Sequence, residues 1–434
     1  MPPVVKLSAE GGQLNYTVKR GEITFGGKGI TTLPIHERAK GKPAPLGADL
    51  DLSQYSREAK GWGKISNLSR LPDDARKSAT LVGFKDDEGF RCGTYFQLDH
   101  SVIFESVKRE FEGKVEIMST KEALERYDWV KDYWWQAVAV DSDKYTAQAE
   151  LNFDNGYFLR VLPGVKVTFP MQACLFMSQD GLSQNVHNLI IAEEDSEIQI
   201  ITGCTSPGLE SGLHVGISEF FIKRNAKPTF TMIHRWAPGV DVRPRAVTMV
   251  EDNATFTNNY ICLNPLRTLQ LYPTAHCNGE NSVANLNSIL LGMGNSEMDV
   301  GGRVILKGKN SRGHVATRCV ARGKATIRAR GELIGQGEEC RGHIDCRGLI
   351  ADNANIYAIP MLDGLIKDCE LSHEAAVGKI RKEDLWYLMS RELSEDEATS
   401  LIIKGYLDPG ILGLSQELED EIKRVTETAT REAL

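Results

Sequence analysis

The chain reads as a mainly β protein, with a mixed α/β region before the β core and helices after it. Three observations predict this. From about Tyr145 to Leu371, short runs alternate apolar and polar residues, as in Val165-Lys-Val-Thr-Phe169, Ile198-Gln-Ile200, Thr229-Phe-Thr-Met-Ile233 and Ala325-Thr-Ile-Arg-Ala329. A period of two sends alternate side chains to opposite faces of a strand. Turns containing Gly or Asn separate these runs every eight to twelve residues, and no helix is expected between them. After Glu374, apolar residues recur at helical spacing.

A sandwich, a barrel and a solenoid all fit that alternation. A weak periodicity favours the solenoid. Cys319 and Cys340 lie 21 residues apart, and Asp345-Cys346 recurs as Asp368-Cys369 after 23. Such a repeat fits one turn of a parallel β-helix, whose coils stack ~4.8 Å apart. Thiols from adjacent coils are then expected to approach one metal cluster.

In order along the chain, residues 1–145 form the mixed region. Gly26-Gly27-Lys28-Gly29 and Lys42-Pro43-Ala44-Pro45 read as loops. Val102, Ile103, Phe104 and Val107 suggest a short helix, and the capping signature Ser119-x-x-Glu122 predicts another, reaching about Ala137. Residues 146–372 form the β core and 373–434 the helical end. There Leu385, Leu388 and Met389 make an apolar stripe beside Trp386 and Tyr387. Ser394-x-x-Glu397 opens the next helix, Ile402 and Ile403 fill it, and Gly405 fits its C′ stop. Leu418, Ile422 and Val425 give a final amphipathic turn. These helices either cap the open end of the β core or dock a partner, with Trp386 and Tyr387 widening the apolar face.

The 434 residues are 41% apolar and 25% charged, ordinary for a soluble globular protein. The start, Met1-Pro-Pro-Val-Val-Lys6, lacks the features of a secretory signal, and no window approaches the ~18 apolar residues of a membrane span. The cytosol is the expected compartment. A net charge of −8 argues against general nucleic-acid binding. The balance is uneven: Arg303–Arg347 holds eleven Lys/Arg against four Asp/Glu, and residues 381–434 hold seven against thirteen. The basic stretch is expected either to favour thiolate at the cysteines within it or to form a solvated sheet face.

Nine cysteines are present, and residues 310–374 carry four of them with three histidines. Thiolates beside imidazoles and a carboxylate are what an iron–sulfur or zinc site requires. Cys92, Cys174 and Cys262 read as small buried apolar residues. Cys204, in Ile201-Thr-Gly-Cys-Thr-Ser-Pro207, runs from a strand into a turn. There it is either an accessible thiol able to carry persulfide sulfur or an inert one. His373-Glu374 is either a ligand pair or the cap of a following helix. His314 and His343, both in Arg-Gly-His, read as repeat-related turn residues, and His276-Cys277 is a further imidazole–thiol pair. There is no Cys-x-x-Cys for a zinc knuckle, no phosphate-binding Gly-x-x-x-x-Gly-Lys-Ser/Thr loop and no Gly-x-Ser-x-Gly elbow.

Several landmarks together resemble the SufB/SufD family, scaffolds of the SUF iron–sulfur assembly machinery, with SufB the nearer likeness. The most specific are Ser372-His-Glu-Ala-Ala-Val-Gly-Lys379, Asp384-Leu-Trp-Tyr-Leu-Met-Ser-Arg391 and Leu393-Ser-Glu-Asp-Glu-Ala398, in that order. Gly203-Cys-Thr-Ser-Pro207 with Leu213-His214 looks like the family's Gly-Cys-Thr-Ala-Pro segment, and Phe96-Gln-Leu-Asp-His100 is similar to another. The resemblance spans about Thr94 to Tyr406. It implies a right-handed parallel β-helix flanked by an N-terminal region and C-terminal helices. Cys204 becomes the expected sulfur acceptor, and His373 and Glu374 match the family's ligand motif near a dimer interface. The C-terminal helices would bind SufC, an ABC-type ATPase supplying the nucleotide site missing here. The sequence departs from the family at Ala354, in Ile350-Ala-Asp-Asn-Ala354, where bacterial SufB proteins carry a cysteine. Ligation is then expected from Cys346 and Cys369 with His373 and Glu374.

The expected function is a scaffold, not an enzyme. It would build a transient four-iron or two-iron cluster as a homodimer or beside a SufD-like chain, and pass it to apoproteins. Two rivals remain: a β-helix carbohydrate-active enzyme, whose chemistry needs no thiols, and a structural or nucleic-acid-binding partner of the ATPase.

Overall fold

The computed structural model describes residues 34–84 and 91–407, positions 420 and 423, and short strand segments between Leu7 and Ile30. Its core is a parallel β-solenoid of about eight turns. One sheet of ten strands runs from the hairpin Ser101–Val107 and Gly93–Leu98 through Met171–Phe176, Glu197–Thr205, Lys227–Arg235, Thr255–Cys262, Val283–Gly292, Arg312–Ala321 and Arg341–Ile350 to Glu370–Lys379. The facing sheet starts at Val115–Ser119 and Tyr157–Val161, passes through Ser183–Ala192 and Gly212–Ile222, and ends at Thr326–Gly335 and Asn355–Gly364. Both sheets open with an antiparallel pair and continue in parallel. The mainly β fold and its parallel coiling follow the expectation; the repeat length does not.

One coil takes 28 to 30 residues. Cys204 lies opposite His234, His234 opposite Cys262, and Cys319 opposite Gly348. The 21- and 23-residue spacings link positions in different columns, because Cys346 lies opposite Ala375. The true repeat is written in the turns from the second sheet to the first. Asp195, Asn225, Asn253, Asn281, Asn310 and Glu339 each take positive φ, between 52° and 60°. Asn and Asp tolerate this left-handed conformation better than other residues bearing a Cβ. Their side chains also tie coil to coil: the amide of Asn281 donates to Asn253 Oδ1 at 3.1 Å, and that of Asn310 to Asn281 at 2.6 Å.

Inward-facing residues fill the lumen. Phe220 packs on Phe230 and Phe256 with ring centroids 4.9 and 5.1 Å apart. Leu175, Cys204, His234, Cys262, Leu290 and Cys319 share one inward column, and all are buried. The outer face of the ten-stranded sheet is covered in part by helix Glu395–Tyr406. Ile403 and Leu407 pack on Ile201, Ile233, Ile261, Ile289 and Val320. That helix therefore lies along the side of the solenoid. The last coil is left open, with Tyr357, Met361, Leu362, Leu365 and Val377 exposed.

Several local expectations change. Ser101–Val107 is a strand, since pairing with Gly93–Leu98 suits its β-branched and aromatic residues. The helix capped by Ser119 ends at Arg126, because Tyr127 and Trp129 turn inward to pack on Phe158. A helix, Lys144–Leu151, does interrupt the stretch read as all β, held by a capping box between Asp143 and Thr146. Strand Glu370–Lys379 carries His373 and Glu374, so the helical end begins at Lys382. Gly405 sits inside its helix, which Leu407 caps. Lys28–Ile30 is a strand, while Gly26, Gly27, Leu418, Ile422 and Val425 lie outside the described residues. Among the described residues no helix is long and apolar enough to cross a membrane.

Candidate functional site

Cys204 lies near the end of strand Glu197–Thr205 with its thiol turned into the lumen, fully buried. It is not the accessible turn-mouth thiol expected, because the turn begins only after Thr205. Gly203 before it is required by packing: a Cβ there would meet Val82 at 2.3 Å. His234, directly opposite on the next coil, and His214, from the facing sheet, converge on the thiol. One ligand atom from each of the three lies within 4.8 Å of the others. Met232 shares the inward face of its strand with His234, and its Sδ is 3.5 Å from Cys204 Sγ. The Trp236 ring lies 4.8 Å from that of His214.

The polar atoms behind these groups set their protonation. Gln184 donates through Nε2 to the carbonyls of Asp99 and Phe176, so its Oε1 faces His214 Nδ1, 2.9 Å away. Nδ1 must therefore be the protonated nitrogen, and Nε2 holds the lone pair. Burial pushes the His214 pKa down to about 3. Burial and the neighbouring His214 hold His234 well below the ordinary range, and burial holds the Cys204 thiol well above its own. At neutral pH the site is thus two neutral imidazoles around a protonated thiol. A cavity of about 30 Å³ opens beside it, lined by His214, Met232, His234 and Tyr260 among others. That is room for a water-sized group, about the bulk of one sulfur atom.

The other candidates lie further along the solenoid and are not gathered into one group. Cys346 faces the lumen, 1% exposed, near Cys319. Cys369 touches Cys340 across adjacent coils, Sγ to Sγ 3.1 Å. Because Cys346 is opposite Ala375, six positions beyond Cys369, the two predicted thiol ligands stand about 20 Å apart along the strands of a single chain. His373 and Glu374 are exposed on the last strand and, being consecutive, point to opposite faces. Arg347 Nη2 lies 3.8 Å from the Glu374 carboxylate.

The basic stretch does not produce thiolates. Its cations face outward and pair with carboxylates: Arg318 and Arg347 with Asp345, Arg303 with Glu332, Arg330 with Asp299. Burial instead pushes Cys346 up to about 11, and Cys319 and Cys369 to about 12. His314 and His343 are related by the repeat, stacked 5.8 Å apart on adjacent strands and not in turns. Cys92, Cys174 and Cys262 are buried, as read. The sequence reading passed over His234, Met232 and Gln184. Only the 30-residue offset between Cys204 and His234 could have pointed to His234, and that needs the coil length.

A family model described as "SUF system FeS cluster assembly, SufBD core domain" matches residues 175–406, which span Cys204, Cys346, Cys369, His373 and Glu374. An iron–sulfur cluster assembly SufBD family protein of Methanothermobacter thermautotrophicus (strain Winter) is 45% identical over 407 residues, covering 92% of this chain and 98% of the relative. The chain belongs to the SufB/SufD family. A further SufBD family protein, from Archaeoglobus fulgidus, is 46% identical over 354 residues, covering 81% of this chain and 94% of its own. The iron–sulfur cluster assembly protein SufB of Bacillus subtilis is 28% identical over 377 residues, 85% and 79% of the two chains. This SufBD chain is accordingly an iron–sulfur cluster assembly protein of the SUF system, and its lumen thiol lies within the core domain of that family.

Proposed function

We propose that this SufBD chain is a scaffold on which iron–sulfur clusters are built in the cytosol and from which they pass to apoproteins. Sulfur delivered by a donor protein is taken onto Cys204. The observation that carries this reading is the lumen pocket: a thiol at a core-domain position, facing two neutral imidazoles and a cavity with room for one added sulfur. A persulfide there needs the thiol proton removed, and the His214 Nε2 lone pair is the base at hand.

The last coil is where iron and sulfide would meet. Glu374 and His373 are exposed there, the Cys340–Cys369 dithiol lies on the same coils, and apolar side chains stand uncovered around them. Because one chain leaves the cysteines and Glu374 apart, a second protomer, identical or SufD-like, would complete the ligand set. The SufC-like ATPase would dock at the C-terminal helices, where Trp386 and Tyr387 are 62% and 60% exposed.

The test is anaerobic reconstitution with iron and either free sulfide or a persulfide donor, followed by absorption and Mössbauer spectroscopy. Cys204→Ser is expected to load from free sulfide but not from the donor. Glu374→Ala and Cys369→Ser are expected to lose cluster under both conditions, and Trp386→Ala to lose the ATPase alone. Full loading of Cys204→Ser from the donor would overturn the assignment of Cys204.

A further inference from the structure

We infer that Cys204, His214 and His234 form a site for one thiophilic metal ion of the copper and zinc class, with the Met232 thioether as a weaker fourth donor. Three ligand atoms already lie within 4.8 Å of one another, and Met232 Sδ is 3.5 Å from the thiol. The donors come from three strands, and their backbones are fixed by the ladders of both sheets.

The surrounding hydrogen bonds orient the imidazoles as ligands. His214 donates its Nδ1 proton to Gln184, leaving Nε2 with its lone pair free for a metal, which is the outer arrangement metal-bound histidines use. His234 Nδ1 is held by the Tyr260 hydroxyl at 2.8 Å. Its Nε2 is buried and has no hydrogen-bond partner among the described residues. A buried, unsatisfied nitrogen costs about 1–3 kcal/mol, and a bound cation removes that cost. Both rings stay neutral near pH 7, as ligands must.

The donor chemistry selects the ion. One thiolate, two imidazoles and a thioether suit soft or borderline cations in trigonal or tetrahedral geometry, and exclude calcium and magnesium, which require oxygen. On binding, the Cys204 S–H bond breaks, its proton leaves to solvent and the sulfur lone pair forms the metal bond. No redox change is involved. The bound cation balances the buried thiolate.

The inference shares Cys204 with the proposed sulfur acceptor but does not rest on that role. An ion on the thiolate blocks sulfur addition, so the two states exclude each other. Persulfide labelling of metal-free protein reads one, and metal titration the other.

The test is anaerobic titration of the metal-free full chain with cobalt(II) as a spectroscopic probe, and with copper(I) against a chromophoric chelator. A Cys340→Ser/Cys369→Ser background removes the other close thiol pair. One ion per chain, thiolate-to-cobalt charge-transfer absorption and about one released proton are expected. Cys204→Ser should abolish the charge-transfer band. His214→Ala or His234→Ala should weaken binding at least tenfold. Gln184→Leu, which touches no metal, should weaken it by about 10–100-fold. Circular dichroism verifies that each variant is folded. No uptake by folded wild type, or an unchanged band in Cys204→Ser or in both histidine variants, would overturn the site.

Discussion

Acidification provides a direct measure of the lumen histidines in metal-free protein. Burial holds His214 near a pKa of about 3 in the folded chain, against an ordinary value of 6.5. Below pH 6.5 the unfolded chain takes up a proton that the folded chain refuses. Unfolding therefore binds protons, and stability rises with pH between about 3 and 6.5 and falls as the solution is acidified. Each pH unit in that window costs about 1.4 kcal/mol per imidazole, so at pH 5 His214 alone removes about 2 kcal/mol. His234, displaced in the same direction, adds to the loss. Together they are a large fraction of the 5–15 kcal/mol typical of folded proteins. The assay is urea unfolding between about pH 7.5 and 5, followed by tryptophan fluorescence, since Trp236 sits against His214. Wild type is compared with His214→Gln and His234→Gln. The wild-type stability should fall more steeply than that of either variant, by about 1.4 kcal/mol per pH unit. Parallel slopes for all three proteins would refute the claim that these rings are kept neutral by burial.

Three further predictions concern the scaffold around the site. Asn281→Ala should destabilise by about 2 kcal/mol, since it loses two ladder hydrogen bonds and puts a Cβ at φ 54°, while Asn281→Gly should cost about 1 kcal/mol less. Equal losses in thermal unfolding would show that the left-handed turn is not the constraint. Glu219, fully buried, accepts from the backbone N–H groups of Trp135, Ala137 and Val138 and meets His187 Nε2 at 2.8 Å. Glu219→Ala should cost about 3–5 kcal/mol in chemical denaturation, and a loss below about 1 kcal/mol would remove its role as the anchor of that segment. With Cys340 and Cys369 thiols 3.1 Å apart, mild treatment with diamide should give their intramolecular disulfide, seen by peptide mass mapping. Recovery of both thiols unpaired, with oxidation elsewhere, would contradict the observed register.

How much of this was legible beforehand depends on the range of the interaction involved. Alternation in Thr229-Phe-Thr-Met-Ile233 and Ala325-Thr-Ile-Arg-Ala329 reports local strand geometry, so the β character was readable. The Ser394–Glu397 capping box was readable for the same reason: its hydrogen bonds join residues three apart. Ser101–Val107 was misread because a short apolar run suits either a helix or a strand until a pairing partner is known. The coil length was misread because attention fell on the cysteines. The repeated signal lay in Asp195, Asn225, Asn253, Asn281 and Asn310.

The amino-acid order alone therefore determined that this chain makes strands, turns and terminal helices, and it carried the motifs by which the family is recognised. Tertiary structure alone decided which thiols meet which imidazoles. Whether a side chain faces the lumen depends on the parity of its strand. Whether two such side chains meet depends on a coil of 28 to 30 residues closing in register. That closure brings Cys204, His214 and His234 together and leaves Cys346 and Cys369 apart, because it is set by backbone ladders between residues about thirty positions distant, which no local pattern encodes.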